Sequence, residues 1–211
     1  MNNSIFIDNT IKLIAKKLNE RNINYYIVGA IGGYIDAGLD IQRKHDDLDI
    51  LIEEKYVDKL NEVFDGTEFD FFDNRFDSEK ILNEYGYTDG NHEVYALHKY
   101  SDFHIGFFLF THDEYSYTIV EYFRDGFNQK RLDRTLPIRY FKYQYNEVPI
   151  SYNGINVKVA RKELIYKNKK VMGREKDLFD IQKLEPTLNY EIFNNLKGLS
   201  KQRKTNIIDL R

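Results

Sequence analysis

A chain of 211 residues, 42% apolar and 31% charged, suits one good core or a main domain with a smaller helical partner, and lies far from disordered compositions. Its lack of cysteine excludes disulfides, thiolate nucleophiles and cysteine-held zinc, so any metal must bind through oxygen or imidazole. The net charge of −3 hides an asymmetry, because residues 36–125 hold 23 Asp/Glu against 8 Lys/Arg while residues 126–211 hold 9 against 19.

Two explanations of that segregation stay open. One is that solvated faces differ in charge or that the two parts attract each other. The other is a cleft with one wall for metal ions or a cationic acceptor and a second for a polyanion such as a triphosphate.

At the N-terminus, MNNSIFIDNTIKLIAKK lacks the apolar core and cleavage site of a signal peptide, and no run reaches the roughly 18 apolar residues of a membrane span. The cytoplasm is therefore the expected compartment. A first helix is expected from an Asn9 or Thr10 cap, with Ile11, Ile14 and Leu18 forming its buried stripe. Tyr25 to Val28 reads as a buried strand entering Gly29, and Gly32-Gly33 as the opening of a short helix, YIDAGL. Asp47 to Ile52 reads as a second strand, Lys55 to Phe64 as a helix. Four aromatic-rich strands are expected over 68–72, 93–100, 102–110 and 117–123, with hairpin turns near Tyr100 to Asp102 and at THDEYS. From Arg161 the text becomes helical in three pieces, RKELIYKNKKVM, REKDLFDIQKL and YEIFNNLKGL. The order implies an α+β fold, with a catalytic core over 1–125 and the remaining strands and a C-terminal helical region over 126–211.

The chemistry concentrates in GAIGGYIDAGLDIQRKHDDLDILI, Gly29 to Ile52. Carboxylates at the edge of a core cost several kcal/mol each unless paired or metal-bound. Asp47 and Asp49 alternate with Leu48 and Ile50, so on a strand they share one face. Such a pair suits Mg²⁺, which takes one or two carboxylates plus substrate phosphates and water. By itself, Asp-x-Asp equally describes hydrated acids at a strand end. The upstream Gly32-Gly33, on a turn into a helix, adds a place where backbone amides can approach phosphate. Asp46 is expected to face away as a loop cap.

Ile-Gly-Gly, thirteen residues, then Asp-Leu-Asp-Ile resembles the nucleotidyltransferase superfamily that includes the catalytic domain of DNA polymerase beta. GGYIDAGLDIQRKHDDLDI is similar to the signature of enzymes that adenylylate aminoglycosides at the 2'' hydroxyl and of the lincosamide nucleotidyltransferases, with Asp36, Arg43, His45, Asp47 and Asp49 on the matching positions. SDFHIGFF and GREKDLFDIQKL extend the likeness weakly. The resemblance implies a polymerase beta-like mixed sheet backed by helices, binding an NTP, ATP by expectation, with two Mg²⁺ ions. It would transfer the nucleoside monophosphate to a hydroxyl of a small aminoglycoside- or lincosamide-like acceptor. On this basis Asp47 and Asp49 are metal ligands, Gly32 and Gly33 hold the β and γ phosphates, and Asp102 is the third carboxylate, ligand or base.

Arg43 and His45 could contact the nucleotide or orient the carboxylates, or could simply build their loop. His104 is expected on Asp102's strand face, lining the cleft or hydrogen bonded in the sheet. Lys167 and the Arg174, Lys176, Asp177 group could reach the triphosphate, although a solvated helix face explains Lys176, Asp177 and Asp180 equally well. Tyr34, Tyr95 and Tyr100 could stack on base or acceptor, but aromatics are 15% of the chain and the choice among them is open. His92, His98 and His112 have no ligand spacing. Two other functions remain open: nucleotidyl transfer to tRNA or protein, as in toxin-like relatives, and a non-catalytic nucleotide-binding protein.

Overall fold

Ile7, Ile11, Ile14 and Leu18 recur at helical spacing and are all buried, which fixes the face on which the first helix docks. In the computed structural model, residues 3–41, 43–75, 81–82, 88–89, 93–125, 128–199 and 204–210 are described; His92 lies outside them. Helix α1 (Asn3–Glu20) leads into β1 (Tyr25–Ile27), α2 (Gly29–Ala37) and β2 (Asp47–Glu53). A 3-10 turn, Glu54–Lys59, and α3 (Leu60–Phe64) return the chain to β3 (Phe69–Asp73), the short pair β4 (Ile81–Leu82) and β5 (Thr88–Asp89), and β6 (Val94–His98). Next come β7 (His104–His112), β8 (Ser116–Asp125), β9 (Asn128–Pro137), α4 (Ile138–Gln144), β10 (Ile150–Tyr152) and β11 (Ile155–Val157). The last part holds α5 (Lys162–Met172), α6 (Glu175–Leu184), a 3-10 turn Glu185–Thr187, α7 (Tyr190–Leu199) and β12 (Lys204–Leu210).

The main sheet runs β1-β2-β7-β8-β9-β12, with β6 joining β7 beside β8 and β3 joining β6. β2 and β7 are parallel and the other pairs antiparallel. The central β2 switches from alternation to a continuous apolar run at Ile50, Leu51 and Ile52, all buried, because both faces of the sheet are covered there. One face, with Leu48, Ile50, Ile105 and Phe107, packs on α1 and α3. Leu51, Tyr26 and Phe110 face the other way, toward α2, α4, α5 and α7.

Several boundaries differ from those read in the sequence. Helix α1 begins at Asn3, because Thr10 is not a cap but a buried mid-helix residue whose hydroxyl donates to the Phe6 carbonyl at 3.0 Å. Over 55–64 a 3-10 turn precedes only five α-helical residues. β7 starts at His104, which leaves Asp102 exposed in the preceding bend. The chain past 126 returns two strands to the main sheet: β9 pairs with β8 over Asp125↔Asn128 to Ser116↔Pro137, and β12 closes the edge on β9. No helix among the described residues is long and apolar enough to cross a membrane.

Candidate active site

The chain leaves β1 at Val28 and turns straight into α2, and two contacts fix that turn against the acidic strand. The Val28 amide donates to the Asp49 carbonyl at 2.9 Å. Gly29 adopts φ +63°, and a Cβ on it would stand 2.6 Å from Asp49 Oδ2, so neither the backbone nor the carboxylate tolerates a side chain there. Helix α2 therefore opens at Gly29, with its free N-terminal amides beside Asp49.

This corrects the role read for Gly32 and Gly33. Gly32 lies inside the helix, its amide already donating to the Val28 carbonyl at 3.2 Å, and a Cβ on it would meet the Ile27 carbonyl oxygen at 2.4 Å. At Gly33 the same atom would press on Ile165 at 3.2 Å and Leu184 at 3.3 Å. Both are needed so that α2 can pack closely on β1, α5 and α6. The amides open to a phosphate are those of the first turn, at Gly29, Ala30 and Ile31.

Asp47 and Asp49 lie half-buried at the start of β2 and share a face, about 6.6 Å apart along the strand. Burial, and then the charge of Asp49, raise the Asp47 carboxyl above the ordinary carboxylate range. Lys176, His104 and Arg43 pull it the other way. In the sheet, Asp47 is in register with His104 and Asp49 with Gly106. Two hard carboxylates that repel each other on one strand face form a donor set that fits Mg²⁺. Among the described residues no three His, Asp or Glu side chains converge to hold a metal. Asp102 is accordingly not gathered with the pair: it sits exposed in the bend before β7, on the side of Lys44, whose pKa it helps to raise. Asp46 is a bystander, paired with Lys44 at 2.8 Å on the surface.

Behind the pair lies a buried ionic network. Arg43 forks onto Asp180, Nε to Oδ1 at 2.9 Å and Nη2 to Oδ2 at 3.0 Å. The Tyr34 hydroxyl donates to Asp180 Oδ1 at 2.5 Å. Lys169 bridges Asp180 at 2.7 Å and Asp177 at 2.9 Å, and Arg174 Nε reaches Asp177 at 2.8 Å. The side chains of Asp177 and Asp180 are 0% exposed, which overturns the solvated helix face as an explanation of them. Burial alone would raise both carboxyls, but hydrogen bonds from Arg43, Lys169, Tyr34 and Arg174 outweigh it and hold them below the usual range. Arg174 in turn feels the charges of Asp47 and Asp49. The start of α6 thus supplies a cationic wall, Arg174 and Lys176, beside the acidic strand.

The remaining sequence-derived residues separate. His45 is 2% exposed, and burial followed by the charge of Arg43 lowers it to about 4, so it is a neutral core side chain set edge-on to Tyr34. Asp36 is structural, accepting from Asn146 Nδ2 at 2.5 Å and from the Lys162 amide at 2.9 Å. Lys167 is held within the helical part, its ammonium bonding Tyr140 Oη at 3.1 Å and the Leu196 carbonyl at 3.3 Å, which ties α5 to α4 and α7. Tyr34 is fully buried and Tyr100 stands out in a turn, leaving Tyr95 as the tyrosine on the same sheet face as the acids. His98 packs between Phe6 and Phe69, and His112 stacks on Tyr117. The sequence placed Gly29 only at a strand end and Asp180 only on a solvated helix face, although a lone glycine directly after a buried strand is a signal for the first.

No protein-family model matches the sequence, and no curated protein matches it significantly. Its fold is that of solved antibiotic nucleotidyltransferases. The solution structure of the antibiotic-resistance factor ANT(2'')-Ia superposes with a TM-score of 0.60 at 15% identity, covering 94% of this chain and 93% of the other. The crystal structure of ANT(2'')-Ia with adenylyl-2''-tobramycin gives 0.61 at 14%, covering 93% and 98%. The lincomycin-bound lincosamide antibiotic adenylyltransferase LnuA gives 0.53 at 12%, covering 89% and 98%.

Proposed function

We propose that this protein is a nucleotidyltransferase that moves a nucleoside monophosphate from Mg²⁺-bound NTP, ATP by preference, to a hydroxyl of a small-molecule acceptor. The observation that carries this is Asp47 and Asp49 on one strand face, flanked by the α2 N-terminus at Gly29 and the Arg174–Lys176 start of α6. The shared fold with ANT(2'')-Ia and LnuA supports the reaction class. Mg²⁺, when bound, would neutralise the triphosphate and orient the α-phosphate. Asp47 and Asp49 would hold it, the first-turn amides of α2 would receive phosphate oxygens, and Arg174 and Lys176 would balance the charge that develops on departing pyrophosphate.

The acceptor oxygen bonds to the α-phosphorus, the bond to the β-phosphate bridging oxygen breaks, and the hydroxyl proton must be taken up at the acceptor side. His104, the first residue of β7 and in register with Asp47, is the proposed proton acceptor. The test is incubation with labelled ATP, Mg²⁺ and a panel of aminoglycosides and lincosamides. Labelled nucleotide should appear on an acceptor, and Asp47→Asn should reduce the rate by at least about a hundredfold. No transfer to any acceptor, or unchanged turnover in Asp47→Asn, would refute the assignment.

A further inference from the structure

Helices cover only part of the sheet face that carries Asp47 and Asp49. Helix α2 lies over β1 and β2, with α5 and α6 behind it. Beyond β7 the same face continues onto β6 and β3, and its side chains follow from register. Asp49 is level with Gly106, Gly106 with Tyr95, and Tyr95 with Phe72. One pleat away, Asp47 is level with His104, His104 with Leu97, and Leu97 with Asp70.

The outer part of this face is apolar where a solvated sheet would be polar. Phe72 is 37% exposed, Leu97 39% and Phe108 38%. Phe72 and Tyr95 stack with centroids 5.0 Å apart and planes 18° apart. The opposite side chains of the same strands, Phe71, Val94 and Ala96, join the core, so the exposed set is not a displaced core face. Nor is its outer part strongly acidic among the described residues, since Asp70 is the one carboxylate of β3 and β6 on this face and Lys99 lies 3.5 Å from it.

We propose that Phe72, Tyr95 and Leu97 form the acceptor platform and select a hydroxyl-bearing acceptor with an apolar face and little positive charge, in preference to a polycation. This rests on the nucleotidyl-transfer reading and names its acceptor class. The phosphate-binding elements occupy the α2 and α6 side of the acid pair, which leaves the β7-β6-β3 side for the second substrate. A flat, stacked aromatic pair in line with Asp49 gives an apolar ring a place to lie while its hydroxyl points back along the row toward the carboxylates. The acidic composition of residues 36–125 would have suggested a polycation, but Asp70, the carboxylate of β3 on this face, already has Lys99 beside it.

Calorimetry on the full chain tests this without turnover, with lincomycin as the apolar-faced probe and tobramycin as the polycation. Lincomycin should bind at least about tenfold more tightly than tobramycin. Phe72→Ala and Tyr95→Ala should each weaken it by about tenfold, Tyr95→Phe should preserve it, and affinity for a non-hydrolysable Mg²⁺–ATP analogue should not change. Melting curves of the variants establish that they are folded. Absent lincomycin binding, binding indifferent to both alanine variants, or tighter binding of tobramycin would each overturn the platform. Tyr95-dependent binding in a chain that transfers no nucleotide supports the platform and refutes the reaction. Transfer that depends on Asp47 but is insensitive to Phe72 and Tyr95 does the reverse.

Discussion

Gly29 carries two constraints in one residue, a left-handed backbone and a carboxylate oxygen of Asp49 standing where a Cβ would go. Gly29→Ala should therefore cost roughly 2–4 kcal/mol by thermal or urea denaturation and should displace Asp49, suppressing nucleotide transfer as well. Gly154, at φ +82° with nothing within 4 Å of an added Cβ, is the control. Gly154→Ala should cost only about 1–2 kcal/mol and leave transfer intact. The acid pair was legible in the sequence because alternation with Leu48 and Ile50 determines which way side chains point. The glycines were misassigned because Gly-Gly and Val-Gly-Ala are equally plausible turns until it is known where the first i to i−4 hydrogen bond forms, and Val28 to Gly32 closes it.

At the scale of elements, α5 and α6 are clamped to α2 and to the loop before β2 through Asp180 and Asp177. Asp180→Ala would leave Arg43 without its carboxylate partner and Lys169 with Asp177 alone, and should destabilise the fold by about 3–5 kcal/mol. Because folding lowers the pKa of both carboxyls, their contribution is present above the ordinary carboxylate pKa near 3.8. It is lost as pH falls through and below that value. The acid limb of stability measured by pH-dependent denaturation should therefore flatten in a folded Asp180→Asn variant. The sequence showed Lys176, Asp177 and Asp180 on a helix but not which face is buried, since ionic residues on an amphipathic helix ordinarily face water. It placed remaining strands past 126 without locating β9 or β12, because the charged KRLDRTLP alternation and the short KTNIIDL segment are held by pairing to β8 and to each other rather than by apolar content.

For the whole molecule, the opposed charges of the two halves are joined across the fold. Arg131 pairs with Glu54 at 3.1 Å and Arg134 with Glu121, while within the back half Lys169 is bound to Asp177 and Asp180 and Arg174 to Asp177. Much positive charge from the back half is thus used internally, which weakens the case for a tRNA acceptor that needs a continuous basic surface. Unity of the sheet leads to a second expectation. Truncation after Leu199 removes β12 and bares the β9 edge over Lys130 to Thr135 and its flanks. The shortened chain should melt several degrees lower and self-associate in size-exclusion chromatography, whereas a monodisperse product of unchanged melting temperature would mean that β12 contributes little.

The cluster behind the acid pair joins three cations, Arg43, Lys169 and the half-exposed Arg174, to two buried carboxylates, Asp177 and Asp180, and so keeps one surplus positive charge next to Asp47 and Asp49. It acts as a built-in counterion, partly satisfying the acids before any divalent ion arrives and weakening the demand for a resident one. Free Mg²⁺ should then associate feebly and do so chiefly as a complex with the nucleotide. A titration of Mg²⁺ with and without a non-hydrolysable NTP should show mutual tightening by one common factor, as reciprocity between linked ligands requires.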